Sequence, residues 1–248
     1  MTSIKPALFL LHGWGMNARV FDPLTEWLAG DFEMRALDLP GHGGRAALPD
    51  NTLRSWADDL VRQLPDGATL LGWSLGGQVA MRAALDCPRK VTRLILLAST
   101  PRFVKAKDWE HGMAPADLED FAAALMADPH ATLLRFLSLQ TRGMAGQKAL
   151  LQQLRQTLLA APAAEANALA AGLAILRDTD LRGELPRLAQ PVLVVHGALD
   201  MLAPAAAGGW LADHLPGAQH LELARAAHAP HLSHGADVAV AIGRFMHG

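Results

Sequence analysis

The chain has 248 residues, 51% of them hydrophobic, which is enough for one large domain or for a core with an inserted lid. The formal net charge of -2 predicts no affinity for nucleic acid, and no apolar run approaches the roughly 18 residues of a membrane span. The single cysteine, Cys87, excludes an intramolecular disulfide. Residues 1–6 lead directly into the first predicted strand, so we expect no signal peptide and a cytoplasmic location.

Short apolar segments alternate with helical patterns in the first part of the chain. Strands are predicted at residues 7–11, 33–37, 68–71 and 91–98, and helices at residues 20–28 and 53–64. Such alternation is typical of a parallel sheet covered by helices on both faces. The sequence therefore predicts an α/β fold with a mostly parallel, doubly wound sheet.

The alternation stops between residues 102 and 177, where only helical periodicity remains. In the Ala-rich stretch of residues 160–174 a helix with a break at Pro162 is expected. Strands resume at residues 191–197 and 220–223. We therefore expect a core of residues 1–101 and 178–248, with residues 102–177 inserted as a helical cap over the active site.

A Gly-x-Ser-x-Gly sequence, Gly72 to Gly76, lies between a predicted strand and a helical pattern. This arrangement is typical of a nucleophile elbow, in which the serine occupies a sharp turn and the flanking glycines remove side chains that would clash. Ser74 as a simple helix N-cap is the plainer alternative, but it leaves the paired glycines unexplained. Ser74 is thus the candidate nucleophile for acyl transfer.

Two partners for this serine follow strands in the second half of the chain. Asp200 comes just past the strand at residues 191–197, and His228 follows the strand at residues 220–223. Serine, acid and histidine then stand in the order of the α/β-hydrolase triad. The histidine would take the serine proton and the aspartate would hold the imidazole. The backbone N–H groups of Leu75 and Trp14 are the expected oxyanion donors.

Other carboxylates compete with Asp200 for this role. Asp38 precedes the elbow and Asp180 precedes the last strands, so both are expected to be turn or capping residues. Asp200 is itself compatible with a turn. The order of the chain favours Asp200.

Histidines recur near the end of the chain. His228, His231 and His234 follow one another at spacings of three, a series compatible with a metal site. No cysteine or carboxylate accompanies them at ligand spacing, so we expect neither a metal nor a cofactor. His12, before Gly13, is expected to shape the oxyanion loop.

Three segments are more discriminating than the features that many hydrolases share. They are the elbow at residues 72–77, the Arg-Phe-Leu-Ser-Leu-Gln sequence at residues 135–140 and the Ala-Ala-His-Ala-Pro loop at residues 226–230. With these, the chain resembles the pimeloyl-acyl-carrier-protein methyl ester esterases of biotin synthesis, which are capped α/β-hydrolases. The resemblance implies hydrolysis of a carrier-bound methyl ester, an oxyanion hole from Trp14 and Leu75, and an acyl tunnel lined by Phe136.

Positions that differ from the family are few. Arg45 stands where the family has serine, and Ala131 and Lys148 stand where the family has cap arginines that grip the carrier protein. The stretch between Asp128 and Glu165 nevertheless has no acidic residue. Its basic residues include Arg135, Arg142, Lys148 and Arg155.

Arg135 and Arg142 are seven residues apart, as are Lys148 and Arg155, so each pair would share a face of a helix. Such a stripe suits an acidic carrier protein, and an ordinary solvated face is the alternative.

Three functions stay open at this point. The first is the methyl ester esterase, a serine carboxylesterase acting as a monomer on an acyl-carrier protein, with no nucleic-acid or membrane partner. The second is a hydrolase of short esters, lactones or carbon–carbon bonds with the same fold and triad. The third is a non-catalytic binding protein, against which the complete triad argues.

Overall fold

One parallel sheet organises the computed structural model, which describes residues 5–247. Its strands are β1 (Ala7–Leu11), β2 (Glu33–Leu37), β3 (Ala68–Trp73), β4 (Val91–Leu97), β5 (Val192–Gly197) and β6 (Gln219–Leu223). The order across the sheet is β2-β1-β3-β4-β5-β6, and each neighbouring pair is parallel. This confirms the predicted α/β class. The expectation about a signal peptide falls on residues 1–4, which lie outside the described residues, as does residue 248 of the expected core.

Helices cover both faces of this sheet. The helices of residues 5–247 are α1 (Asp22–Leu28), α2 (Leu53–Gln63), α3 (Leu75–Asp86), α4 (Pro115–Ala127), α5 (Pro129–Gln140), α6 (Gln147–Leu159), α7 (Ala166–Asp178), α8 (Ala205–His214), α9 (Pro230–Ser233) and α10 (Gly235–His247). Short 3₁₀ turns span Ala18–Phe21 and Leu185–Arg187. Within residues 5–247, no helix combines the length and apolarity that crossing a membrane requires.

The central strands β1, β3, β4 and β5 are largely buried, and their side chains alternate between two apolar clusters, whereas the edge strands β2 and β6 are mostly exposed. Phe9 and Leu11 of β1 lie in one cluster, and Leu8 and Leu10 lie in the other. Successive side chains of a strand point to opposite faces, so a strand covered twice reads as a continuous apolar run. The carboxyl ends of the strands then meet at one edge, where ligand sites of such sheets form.

Four helices, α4 to α7, lie between β4 and β5 and are called here the inserted helices. They share the core with the sheet, since Phe136 and Leu169 join one apolar cluster and Leu137 and Leu154 join the other. Two details differ from the sequence prediction. Residues 102–114 are not helical and contain the bridge Val104–Met113.

The second difference concerns the Ala-rich stretch. Pro162 does not interrupt a helix there, because α6 has already ended at Leu159 and α7 begins only at Ala166. Proline removes a helical donor and restricts the preceding residue, which favours a connection over a kinked helix.

Candidate active site

Ser74 occupies the turn between β3 and α3. Its backbone has φ 55° and ψ -121°, a conformation that side-chain-bearing residues rarely adopt. The glycines permit the close crossing of strand and helix. A Cβ on Gly72 would meet the backbone of Gly76 and Gly77 at 2.5 Å, and one on Gly76 would meet the carbonyl oxygens of Leu11 and His12 at the end of β1. The elbow geometry therefore requires these glycines.

Ser74, His228 and Asp200 form one hydrogen-bonded chain. The Nε2 atom of His228 is 2.9 Å from Ser74 Oγ, and its Nδ1 atom is 2.7 Å from Asp200 Oδ2. The other carboxylate oxygen of Asp200 accepts the backbone N–H groups of Leu202 and Ala203, both at 2.9 Å. A carboxylate can only accept, so Nδ1 carries the hydrogen and Nε2 is free to accept the serine proton. All three side chains are buried.

Backbone contacts of His228 tie it to two other elements. Its N–H donates to the Gln140 carbonyl at the end of α5, at 3.1 Å. Its carbonyl accepts the indole N–H of Trp73 at 2.7 Å. The loop that carries the histidine is thus fixed both to an inserted helix and to the residue before Ser74. Neither contact, that of Gln140 or that of Trp73, is predicted from the sequence. The one feature of the sequence that indicates a role for Trp73 is its position inside the elbow, directly before Ser74.

A third unpredicted neighbour is His196 at the end of β5. Its Nε2 atom lies 2.9 Å from the Ala203 carbonyl and 3.8 Å from Asp200 Oδ2. Burial lowers the pKa of this imidazole, which favours its neutral form beside the carboxylate.

Two backbone donors lie beside Ser74. Leu75 is the first residue of α3, so its N–H has no carbonyl within the helix to bind. Trp14 follows β1, and in the described residues neither of these N–H groups donates to a backbone carbonyl. A Cβ on Gly13 would lie 3.1 Å from that of Ser74, which places this loop against the nucleophile. The arrangement suits an oxyanion.

Aromatic side chains connect this loop to the inserted helices. The Trp14 indole donates to the Leu169 carbonyl of α7 at 2.8 Å and meets Phe136 of α5 edge-on, with centroids 4.9 Å apart. Phe136 in turn contacts Phe121 of α4, at 6.0 Å. Phe136 therefore lies next to a residue of the oxyanion loop.

The rival carboxylates belong to other networks. Asp38 accepts the N–H of Ala18 at 2.7 Å. Asp180 accepts hydrogen bonds from Arg182 and Arg102, and these two guanidinium groups hold the pKa of its carboxyl well below the usual range. Asp200, in contrast, meets His228.

The loop after β2 is joined to the loop after β1. The Leu39 N–H donates to Nε2 of the buried His12 at 3.1 Å. Arg45 donates to the Asp38 carbonyl at 3.0 Å and to the Asp59 carboxylate at 2.6 Å. The arginine thus fastens this loop to α2.

The three histidines of the last series have separate surroundings. His231 is fully buried against Trp73, with ring centroids 4.7 Å apart, and burial lowers its pKa to about 3. His234 contacts the Ser233 hydroxyl. No three His, Cys, Asp or Glu side chains between residues 5 and 247 stand together as metal ligands.

The four basic residues of the predicted docking stripe, Arg135, Arg142, Lys148 and Arg155, are exposed. Lys148 and Arg155 both lie on α6, seven residues or about two turns apart, as expected. The expectation that Arg135 and Arg142 share a helical face is wrong, because α5 ends at Gln140 and Arg142 lies in the following turn.

Comparisons with known proteins agree with this geometry. A model of the alpha/beta hydrolase family matches residues 8–241. A pimeloyl-[acyl-carrier protein] methyl ester esterase from Nitrosomonas europaea is 42% identical, over 94% of this chain and 92% of its own. One from Aromatoleum aromaticum is 42% identical, over 98% and 99%. The solved structure of an esterase from Exiguobacterium antarcticum has a TM-score of 0.88 at 21% identity, over 98% and 92% of the two chains, which shows a shared fold.

Proposed function

We propose that this chain removes the methyl group from a pimeloyl ester held by an acyl-carrier protein in biotin biosynthesis. The chain belongs to the alpha/beta hydrolase family and, within it, to the pimeloyl-[acyl-carrier protein] methyl ester esterases. The observation that carries the proposal is the hydrogen-bonded chain from Ser74 through His228 to Asp200. The proposal includes a cytoplasmic location, in keeping with a carrier-protein substrate. It also includes a monomeric enzyme.

Acylation begins at Ser74. Its hydroxyl oxygen attacks the ester carbonyl while His228 Nε2 takes the hydroxyl proton. Asp200 stabilises the imidazolium, and the N–H groups of Leu75 and Trp14 bind the oxyanion. Collapse of the tetrahedral intermediate breaks the bond to the methoxy oxygen, which leaves as methanol with the proton from His228. The pimeloyl chain is then an ester of Ser74.

Deacylation repeats these steps with water. His228 takes a proton from the water as its oxygen attacks the acyl carbonyl, and the same N–H groups bind the second oxyanion. The intermediate then releases Ser74, which recovers its proton from His228. The product carries a free carboxylate in place of the methyl ester.

We assign the inserted region, residues 102–177, to a cap over this site. Phe136 contacts Trp14, and the end of α5 binds the backbone of His228, so the region contacts both the expected oxyanion loop and the histidine. In this assignment Phe136 lines the acyl tunnel. The exposed Arg135, Arg142, Lys148 and Arg155 then face an acidic carrier protein, which their charge would attract.

A kinetic comparison tests the proposal. Methyl pimeloyl-carrier protein and methyl butyrate are supplied to the wild type and to Ser74→Ala, and the products are followed by mass spectrometry. We expect a higher kcat/KM for the carrier-bound ester, and a loss of about 10⁴ to 10⁶ in kcat for the variant.

Two outcomes contradict the proposal. More than a tenth of wild-type activity in a folded Ser74→Ala would overturn the serine mechanism. Equal or higher kcat/KM for the short ester would instead indicate a general ester hydrolase of the same fold.

A further inference from the structure

His196, at the end of β5, is a fully buried histidine that takes no part in the proton transfers described above. Its Nε2 atom lies 2.9 Å from the Ala203 carbonyl oxygen. A carbonyl oxygen can only accept, so the hydrogen of the neutral imidazole is on Nε2 and Nδ1 is bare. The side chain is therefore a fixed hydrogen-bond donor to this carbonyl.

The Ala203 carbonyl belongs to the turn that follows Asp200. Within this turn, the N–H groups of Leu202 and Ala203 donate to one carboxylate oxygen of Asp200, and the other oxygen accepts from His228 Nδ1. Ala203 is thus held on both sides, with its N–H on the acid and its carbonyl on His196. The imidazole ties the far end of the turn back to β5.

The other side of the ring lies against α8. Nδ1 has no hydrogen-bond partner in the described part of the chain, and a Cβ on Gly208 would lie only 2.8 Å from the ring carbon Cγ of His196. A buried acceptor without a donor is destabilising, so an apolar side chain of the same size would avoid this cost. The bond from Nε2 to Ala203 is the interaction that such a side chain would lack.

Contact between His196 and the acid is indirect. Nε2 of His196 is 3.8 Å from Asp200 Oδ2, which is beyond hydrogen-bond distance. The titratable groups around the ring are Asp200 and His228 on the two loops, with His220 and Glu222 on the neighbouring strand β6. A protonated ring at this distance would compete with His228 for the carboxylate, whereas a neutral ring does not.

We propose that His196 is a positioning residue for the acid of the triad: its hydrogen bond to the Ala203 carbonyl keeps the Asp200 carboxylate aimed at His228. The inference rests on the proposed function, because it concerns the same hydrogen-bonded chain. Without this bond the turn relaxes and the carboxylate moves relative to His228 Nδ1. The imidazolium is then less stabilised, so kcat falls and the acidic limb of the pH–rate profile moves to lower pH.

Two substitutions separate the hydrogen bond from the space that the ring fills. His196→Met has a similar volume and no donor, whereas His196→Gln keeps an N–H at a similar reach. For p-nitrophenyl butyrate we expect kcat of His196→Met to fall about tenfold with little change in KM, from the loss of one hydrogen bond. The acidic limb of its kcat/KM profile should move to lower pH by about half a unit. His196→Gln should stay within about threefold of the wild-type kcat and keep the wild-type limb.

A double-mutant cycle tests whether the effect passes through the acid. In Asp200→Asn the carboxylate no longer supports His228, so adding His196→Met should reduce kcat by less than about twofold. A further loss of about tenfold in this background would show that His196 acts independently of Asp200, and would overturn the proposal.

His42→Met is a matched control for stability. His42 is also fully buried, with one ring nitrogen 2.9 Å from the Pro40 carbonyl and the other without a partner in the described residues. This variant should melt at a lower temperature, as His196→Met should, but keep the wild-type acidic limb. If His196→Met does not fold, His196→Asn replaces it, since its amide is too short to reach the Ala203 carbonyl.

Three results would overturn the assignment of His196. They are a wild-type acidic limb in a folded variant that lacks the bond, an equal shift of the limb in His42→Met, and a kcat for His196→Gln as low as that for His196→Met. Failure of the wild type to hydrolyse any ester would instead count against the proposed function.

Discussion

The unusual backbone of Ser74 is held by hydrogen bonds from three directions. Its N–H donates to the Leu97 carbonyl, and its own carbonyl accepts both the Ser99 hydroxyl and the Gly77 N–H, each at 2.9 Å. A strained residue persists only when its surroundings determine its conformation. The hydroxyl of Ser74 is therefore positioned before any substrate arrives.

Asp200→Asn should reduce kcat by about 10⁴, because the amide can donate to His228 Nδ1 and so favours the wrong tautomer. When Ser74→Ala is already present, the same change should cost little more, since residues that act as a unit are not additive. Both are measured as kcat for p-nitrophenyl butyrate. Asp180→Asn serves as the comparison, and an equal kcat loss in a folded Asp180→Asn would show that the acid is misassigned.

Trp73→Phe keeps an aromatic ring but removes the N–H that binds the His228 carbonyl. We expect kcat to fall about three- to tenfold, because the histidine loop loses one hydrogen bond, with a smaller change in KM. Trp56→Phe is a matched control, since this buried indole also donates one hydrogen bond, to Asn51 at 3.0 Å, in a different network. Kinetics and thermal melting are measured for both. Equal kcat losses in the two variants would refute a positioning role for Trp73.

Among the elements, α7 packs closely on the expected oxyanion residues. A Cβ on Gly172 would lie 2.6 Å from Trp14 Cδ1 and 3.2 Å from Leu75 Cδ2. One turn earlier, the Leu169 carbonyl accepts the Trp14 indole N–H. The helix thus contacts the residues on both sides of the proposed oxyanion site, with no space for a methyl group.

Gly172→Ala should therefore displace α7 or the Trp14 loop and lower kcat by about tenfold, because small misplacements of catalytic groups are costly. The matched control is Gly243→Ala in α10, where a Cβ meets nothing within 4 Å. There alanine should raise the free energy of unfolding by up to about 1 kcal/mol through helix propensity. Steady-state kinetics and chemical unfolding distinguish them. Unchanged kcat in Gly172→Ala would mean that α7 accommodates the methyl group without displacing Trp14 or Leu75, and would contradict this prediction.

Buried neutral histidines make the fold sensitive to acid. Burial, with a smaller contribution from a neighbouring histidine in each case, lowers the pKa of His42 and of His231 to about 3. The unfolded chain binds these protons below pH 6.5, whereas the folded chain does not until about pH 3. The contribution of these two histidines to the free energy of unfolding is therefore fully present above pH 6.5 and is lost progressively as the pH falls towards 3.

Each such histidine should remove about 1.4 kcal/mol of stability per pH unit within this window. We expect the free energy of unfolding in urea to decrease between pH 6.5 and 5, and to decrease less steeply in His231→Phe. His130→Gln changes an exposed histidine and should retain the wild-type slope. Identical slopes in all three proteins would contradict the role assigned to buried His231.

The sheet, most of its helices and the candidate residues Ser74, Asp200 and His228 are predicted from the amino-acid sequence alone. These features are local: a buried strand is a short apolar run, an elbow needs its glycines at fixed spacing, and strand ends collect polar side chains. The strand at Ala7–Leu11 was predicted to the residue for this reason.

The contacts between these residues depend on the packing of distant segments. His228 is 28 residues from Asp200 and 154 from Ser74, so their hydrogen bonds depend on how the sheet and helices pack. The same packing brings Trp73 to the His228 carbonyl, although no spacing in the sequence relates the two residues. Periodicity is a property of one segment, whereas a contact depends on where two segments end in space.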